Sequence, residues 1–193
     1  MNRKEDYNRG ISLVAKLIKS TESGRIILKR PFKHKVIKNF LDKDSFIKIN
    51  ELLLSSNFPW FYQSKVSSEK DTSDNFFFCH NLYKDSQRQS LFFDSVLLPI
   101  LKKLNCNELL RAKINCYTKN NKKIKTNFHA DSPASHTVCL YSINTNNGYT
   151  LFKNKNKIHS IENQMLIFDG KLEHCSVAQT DEKIRVNINI NIQ

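Results

Sequence analysis

The sequence of 193 residues lacks any long uninterrupted apolar run. A membrane-spanning helix needs about 20 consecutive apolar residues. The apolar segment at 11–18 is much shorter and contains a lysine, so it does not resemble the hydrophobic region of a secretory signal. We therefore expect no contact with a membrane and a location in the cytoplasm.

The sequence also lacks closely spaced cysteine pairs. Its cysteines are scattered, and no C-x-x-C motif indicates a zinc knuckle or a redox site. They are Cys79, Cys106, Cys116, Cys139 and Cys175. Most of them lie in or beside apolar segments, which predicts buried packing residues in a reducing compartment.

Acidic residues are few compared with basic ones: 18 Asp and Glu stand against 31 Lys and Arg, a net charge of +13. Basic clusters occur at 119–125 and 153–157, the second in a predicted hairpin turn. They could attract an anionic partner such as nucleic acid or an acidic protein. The other interpretation is an ordinary solvated surface, whose lysines reflect a coding bias toward Lys, Asn and Ile. Neither cluster has the interleaved aromatic residues typical of single-strand binding grooves.

The length is sufficient for one well-packed domain and short for two. We predict a basic N-terminal arm or helix at 1–30, followed by a single domain at 31–193. A charged, Ser-rich segment at 64–75 predicts a loop.

Two segments predict helices. Asp42 or Asp44 can cap a helix over 45–56, in which Phe46, Ile49 and Leu53 share one face. Helical spacing returns at 91–104, where Pro99 is expected to kink or divide the segment.

Three later segments predict strands. Those at 136–144 and 163–170 are apolar runs, and 183–191 alternates between polar and branched apolar residues, which is typical of a half-buried strand. The link at 175–184 has a polar middle and predicts a hairpin that turns near Gln179 and Thr180.

Candidate metal ligands stand at His129, Asp131 and His174. In an extended segment residues i and i+2 point to the same side, so His129 and Asp131 can converge on one ion. Two imidazoles and one carboxylate can hold Fe(II) on one side and leave the other positions open. By itself an H-x-D pair with a further histidine also fits a surface loop or a polar core.

Arg185 follows on the last predicted strand. With the predicted hairpin turn, Arg185 would lie opposite His174 on the same sheet face, within cross-strand reach. An unpaired cation on a buried face is costly, and a ligand with a carboxylate would remove that cost.

The C-terminal half resembles 2-oxoglutarate- and Fe(II)-dependent dioxygenases, in the branch similar to prolyl 4-hydroxylases. The matching segments are FHAD at 128–131, LYSIN at 140–144, NGYTLF at 147–152, LIFDGKLEHC at 166–175 and RVNIN at 185–189. Weaker similarity extends upstream, in 58–62, 76–83 and 111–118. The resemblance implies a mainly β fold with flanking helices (α+β), a double-stranded β-helix or jelly roll with N-terminal helices packed on one face.

The resemblance also implies roles for individual residues. His129, Asp131 and His174 match the catalytic iron ligands, and Arg185 matches the residue that anchors 2-oxoglutarate. Tyr117 matches a position that helps to hold this co-substrate, and Asn115 shares its strand face. Ordinary strand packing is the alternative for both, and for Asn115 the two interpretations are equal. Related halogenases lack the carboxylate, so the presence of Asp131 favours hydroxylation or demethylation. Where members of the family frequently have two consecutive glycines, this sequence has Asn147-Gly148.

The implied activity is hydroxylation of a C–H bond in a protein or peptide (prolyl type) or in an amino-acid-like small molecule. Fe(II), 2-oxoglutarate and O2 would be required, ascorbate is an expected additional reductant, and succinate and CO2 are the expected co-products. Two alternatives stay open. One is an oxidative nucleic-acid demethylase, indicated by the basic charge and by Arg185-x-Asn187, and the other is a non-catalytic jelly-roll binding module.

Overall fold

The computed structural model describes residues 34–64, 76–104, 108–132 and 134–193. The predicted N-terminal arm at 1–30 and almost all of the predicted loop at 64–75 lie outside these ranges. Within them, no helix combines the length and the apolar character that crossing a bilayer requires.

Helix α1 spans Lys43–Leu54 and confirms the first predicted helix. Of the two candidate caps, Asp42 is the one used: its Oδ1 accepts a hydrogen bond of 2.9 Å from the backbone N–H of Ser45. Such a cap satisfies an amide that has no partner within the helix. Ile49 and Leu53 are buried on the predicted apolar face.

The second helical segment is divided, as predicted. A π-helical turn at Phe93–Leu97 leads directly into helix α2, Leu98–Lys103. Pro99 lies in the first turn of α2, where a missing backbone N–H costs little.

Eight strands form the larger sheet, in which all pairs are antiparallel. They are β1 (His34–Ile37), β2 (Phe61–Gln63), β3 (Phe77–Lys84), β4 (Gln87–Arg88), β5 (Leu109–Thr118), β6 (Thr137–Ser142), β9 (Gln164–Asp169) and β11 (Ile184–Ile192). Their order is β1-β9-β6-β11-β5-β3-β2, with β4 paired to β3. The apolar runs at 136–144 and 163–170 thus become the neighbouring strands β6 and β9.

The smaller sheet consists of β7 (Asn146–Phe152), β8 (Lys157–Ser160) and β10 (His174–Val177). These strands are antiparallel, in the order β10-β7-β8. The basic cluster at 153–157 makes the turn between β7 and β8, as predicted.

The two faces of the larger sheet have different surroundings. One face shares an apolar core with both helices, in which Ile49 of α1 and Ile100 of α2 join Ile114 and Ile188 of the sheet. The other face meets the smaller sheet in a small cluster that includes Phe152 and Phe168. This arrangement confirms the predicted mainly β jelly roll with helices on one face.

Strand β11 alternates as predicted, but the expectation of a half-buried strand is wrong. Its branched residues enter the helix-covered core, and its polar residues Arg185, Asn187 and Asn191 are also buried. The polar face of β11 is covered by the smaller sheet, since it lines a cavity that Thr150 of β7 and His174 of β10 also line.

The predicted hairpin between the strands that carry His174 and Arg185 is also wrong. His174 pairs with Phe152 in the smaller sheet, whereas Arg185 pairs with Tyr117 in the larger one. The link at 178–183 therefore crosses from one sheet to the other. A polar link between two strands is equally compatible with a hairpin and with a crossover, since only the other strands decide the pairing.

Candidate active site

Backbone pairing brings the three predicted metal ligands together. His129 and His174 form an isolated antiparallel bridge, in which each backbone N–H donates to the other residue's carbonyl at 2.9 and 3.0 Å. The backbone N–H of Asp131 donates to the carbonyl of Gly170 at 3.3 Å. The segment at 129–131 and the segment at 170–174, which are far apart in the sequence, thus become neighbours in space.

Hydrogen bonds orient both imidazole rings in the same way. The Nδ1 of His129 lies 3.2 Å from the carbonyl oxygen of Asn127, and the Nδ1 of His174 lies 2.9 Å from that of Leu172. A carbonyl oxygen only accepts, so each Nδ1 carries the proton and each neutral ring leaves Nε2 free. A hydrogen bond from one ring nitrogen to a backbone carbonyl is typical of histidines that bind a metal through the other nitrogen.

The free nitrogens face one carboxylate. The Nε2 atoms of His129 and His174 lie 3.6 and 3.7 Å from Oδ1 of Asp131, and the candidate ligand atoms all lie within 4.8 Å of one another. These separations are too long for hydrogen bonds and leave room for an ion between the three groups.

The electrostatics of this cluster fit a divalent cation. The side chain of Asp131 is only 5 % exposed, and its Oδ2 has no hydrogen-bond partner among the described residues. Its nearest basic group is Arg111, with Nη2 3.8 Å from Oδ2, and a buried carboxylate that lacks hydrogen bonds is costly unless cations compensate it. Burial lowers the pKa of His174, so its ring stays neutral at neutral pH, which is the form that binds a metal. A set of two nitrogens and one carboxylate oxygen suits iron(II).

Arg185 lies at the closed end of the same cavity. It is 2 % exposed, and its Nη1 donates to Ser176 Oγ at 3.0 Å and to the Val177 carbonyl at 3.1 Å. Its Nε has no hydrogen-bond partner among the described residues. Although the predicted hairpin is absent, the side chain thus reaches across from β11 to β10, into the cavity that His174 borders.

Gly148 makes room for this arginine. A Cβ atom at position 148 would lie 3.1 Å from Cδ of Arg185 and 2.8 Å from Oδ1 of Asn146. The single glycine of Asn147-Gly148 therefore stands where a side chain would crowd the anchor site.

Tyr117 pairs with Arg185 across the strands, and its ring lies 5.7 Å from the guanidinium carbon. The ring also stacks on Phe77 with a centroid distance of 5.4 Å. Burial raises the pKa of Tyr117 to about 12, so at neutral pH the hydroxyl is protonated and able to donate a hydrogen bond. Tyr117 thus packs against Phe77 and also lines the cavity, and its role in holding the co-substrate stays a prediction.

Asn115 is buried, and its Nδ2 donates to Oδ1 of Asn187 at 3.0 Å. Its own Oδ1 has no partner among the described residues. The amide is therefore part of the packing between β5 and β11 and also presents an unused acceptor.

All six predicted site residues line one cavity of about 260 Å³. Sequence reasoning missed several other lining residues, among them Arg111, Lys113, Thr126, Thr150, Ser176 and Asn189. Strict alternation along β5 could have revealed two of them, because Arg111 and Lys113 share the face of Asn115 and Tyr117.

Four of the cysteines, Cys79, Cys116, Cys139 and Cys175, are buried free thiols, as predicted; Cys106 lies outside the described residues. Cys175 also borders the cavity. The basic cluster at 119–125 is largely exposed.

No protein-family model and no curated protein matches the sequence. Solved structures do match. A viral collagen prolyl hydroxylase from Paramecium bursaria Chlorella virus-1, in complex with 2-oxoglutarate, has a TM-score of 0.53 and 12 % identity, with 84 % of this chain and 96 % of that chain covered.

Two further solved structures are similar. A prolyl hydroxylase from Trichoplax adhaerens, in complex with a peptide fragment of hypoxia inducible factor, has a TM-score of 0.52 and 13 % identity over 100 % of this chain and 94 % of that one. A non-heme α-ketoglutarate-dependent epimerase of nogalamycin biosynthesis has a TM-score of 0.55 and 10 % identity over 96 % and 83 %. The fold of this chain is thus the one found in 2-oxoglutarate- and Fe(II)-dependent oxygenases.

Proposed function

We propose that this protein is a 2-oxoglutarate- and Fe(II)-dependent dioxygenase that hydroxylates a C–H bond of a peptide or of an amino-acid-like substrate. The observation that carries the proposal is the convergence of His129, Asp131 and His174 in a cavity whose closed end is formed by Arg185. A fold can host many activities, but this set of groups in one cavity suits one kind of chemistry.

His129, Asp131 and His174 would hold Fe(II). The Nδ1 hydrogen bonds to Asn127 and Leu172 keep both rings in the tautomer that offers Nε2. The Oδ2 of Asp131, which forms no hydrogen bond among the described residues and has Arg111 only at 3.8 Å, would gain a closer cation. When bound, iron and 2-oxoglutarate together supply the oxygen activation that converts a C–H bond to C–OH with release of succinate and CO2.

Arg185 would hold the far carboxylate of 2-oxoglutarate. A guanidinium binds a carboxylate through short charge-assisted hydrogen bonds, and the bonds to Ser176 and Val177 hold its orientation. The Tyr117 hydroxyl, protonated at neutral pH, is placed to donate a further hydrogen bond, with Asn115 beside it. Because this end of the cavity is buried, water is kept away from the co-substrate.

Hydroxylation is favoured by the carboxylate ligand Asp131, which occupies the position that halogenases leave to a halide. Peptide substrates are supported by the Trichoplax structure, which holds a peptide. No described contact favours nucleic-acid demethylation, since the amide of Asn187 already accepts a hydrogen bond from Asn115.

The experiment is Fe(II)-dependent conversion of 2-oxoglutarate to succinate by the purified protein, with ascorbate present, followed by mass spectrometry of a peptide and metabolite mixture. We expect wild-type turnover and products that have gained one oxygen atom. His174→Ala should reduce turnover by more than about 100-fold, because losing a metal ligand costs at least as much as losing the hydrogen bond that orients it.

His159→Ala is the matched control, since His159 is exposed on β8, and it should retain activity. His129→Ala gives a second test at a less buried ligand. Thermal unfolding of each variant verifies the fold. Turnover that is unchanged in both ligand variants would rule out this metal site, and metal binding without turnover would indicate a binding module. Demethylation of methylated oligonucleotides, with binding that weakens steeply in salt, would favour the demethylase instead.

A further inference from the structure

The cavity has a second cationic end that the proposed co-substrate does not use. Arg111 and Lys113 both line it, and both stand on the face of β5 that carries Asn115 and Tyr117. In the β5–β11 register, Arg111 pairs with Asn191, Lys113 with Asn189, and Tyr117 with Arg185.

This second end lies far from the anchor of 2-oxoglutarate and nearer to solvent. Tyr117 lies six positions after Arg111 on β5, about 20 Å in an extended strand. The side chain of Arg111 is 38 % exposed, whereas Arg185 is 2 % exposed. The cavity therefore runs from a closed end at Arg185, past the candidate metal ligands, to an open end at Arg111 and Lys113.

The two cations are poorly compensated. Among the residues that the structure describes, Lys113 forms no ion pair; its amino group lies 5.5 Å from the centre of the Phe77 ring. Arg111 has one distant partner, with Nη2 3.8 Å from Oδ2 of Asp131, and its Nε lacks a hydrogen bond. The Oδ1 of Asn189, opposite Lys113, is also without a partner in this part of the chain.

Formal charges indicate what the open end lacks. Arg111, Lys113 and Arg185 stand against one carboxylate, Asp131, so the lining carries two net positive charges. A divalent cation and a dicarboxylate cancel each other and leave that excess unchanged. With Arg185 occupied and Asp131 engaged by the metal, the unbalanced charge is located at Arg111 and Lys113.

We propose that Arg111 and Lys113 form a carboxylate-binding subsite that selects an acidic substrate, a small organic acid or an acidic amino-acid-like group, for the iron centre. This inference rests on the proposed function, because the iron centre defines which part of the cavity is the substrate side. A carboxylate between the two side chains removes their mutual repulsion and accepts charge-assisted hydrogen bonds. Its position beside Asp131 places neighbouring C–H bonds close to the metal.

A purely supporting role for Arg111, as a counter-ion of Asp131, explains less. It does not account for Lys113, a second cation on the same face of β5 that forms no ion pair among the described residues. The cavity of about 260 Å³, shared with metal and co-substrate, also favours a small acidic group over a nucleic-acid backbone.

The test measures binding to the full-length protein loaded with Mn(II) and 2-oxoglutarate without oxygen. The probes are amino acids, N-acetyl amino acids, small mono- and dicarboxylic acids and a glutamate-containing peptide, each paired with its uncharged amide, and a short single-stranded oligonucleotide. We expect one or more acids to bind at least about tenfold more tightly than the matching amide, by calorimetry and thermal shift. A free acid and the acidic peptide distinguish the two sources of the carboxylate.

Lys113→Met removes the charge with little change in volume and should weaken the acid about tenfold without affecting the amide. Lys113→Arg should retain the preference, and so should Lys48→Met, which makes the same charge change on the exposed side of α1. Equal binding of acids and amides by the wild type, an unchanged preference in Lys113→Met, or binding of oligonucleotides alone would overturn the proposal.

The same measurements separate this inference from the proposed function. Arg185→Lys tests the anchor of 2-oxoglutarate and should leave the preference for the acid in place. Loss of acid binding in Arg185→Lys but not in Lys113→Met would show that the acid occupies the co-substrate site, which contradicts the subsite. Absence of succinate formation with intact acid binding at Lys113 would contradict the dioxygenase and not the subsite.

Discussion

The two faces of strands β5 and β11 differ in almost every property except their backbone. On one face Ile114 and Ile188 are fully buried in the core beneath the helices. On the other, Lys113 and Arg185 line a polar cavity that includes the candidate metal ligands. One ladder of hydrogen bonds therefore supports both faces, and a shift of register by one residue would exchange them.

This contrast separates the source of stability from the source of chemistry. The apolar face stabilises the fold by removing hydrocarbon from water, whereas the polar face holds cations and unpartnered acceptors that cost free energy until ligands bind. Substitutions on the first face should act on unfolding, and substitutions on the second face should act on binding.

The largest effect on stability is expected from Ile188→Ala. Ile188 is fully buried, and truncation of such a side chain costs about 2–5 kcal/mol of unfolding free energy. Urea denaturation measures it. Asn189→Ala, the next residue on the cavity face, should cost much less, because its Oδ1 forms no hydrogen bond in the described part of the chain. Equal losses from the two substitutions would remove the distinction between the faces.

A smaller effect, on binding, is expected from Arg185→Ala. The affinity for 2-oxoglutarate should fall about tenfold or more, because a charge-assisted hydrogen bond is lost. The affinity for Fe(II) should change less, since Arg185 is not one of the three candidate metal ligands. Anaerobic calorimetry measures both affinities, with Lys183→Ala, an exposed neighbour, as control. A larger loss for iron than for 2-oxoglutarate would assign Arg185 a structural role alone.

The smallest effect is a pH dependence of the metal-free protein. Burial lowers the pKa of His174 below its usual value of 6.5, so between the two pKa values the unfolded chain binds the proton and the folded chain does not. The free energy of unfolding should therefore fall as the pH drops below about 6.5, and should be insensitive to this group above it. His174→Gln should show a weaker dependence over about pH 5 to 8. An identical profile in wild type and variant would contradict the assignment.

The sequence predicted the elements well where one local signal dominates. Asp42 followed by the spacing of Ile49 and Leu53 predicted α1, and Pro99 predicted the division of the second helical segment. The alternation from Lys183 onward predicted β11. These signals depend on neighbours within a few residues, which the sequence displays directly.

Pairing and burial were harder to predict. The polar link after β10 was interpreted as a hairpin, although β10 and β11 belong to different sheets. The polar residues of β11 were expected at a half-buried surface and are instead buried around a cavity. Both errors have one cause, since a strand's sequence shows which residues share a face and does not show what that face meets.

By itself the sequence determined the chemistry available at the site: the order His129, Asp131, His174 and Arg185, their neutral, anionic and cationic characters, and the strand periodicity that aligns them. Only the tertiary structure decided that Arg185 reaches β10 from another sheet, that Gly148 leaves space for it, and that Arg111 and Lys113 stand at the open end. The reason is physical: charge and periodicity belong to residues and their near neighbours, whereas a cavity exists only between sheets that long-range pairing has brought face to face.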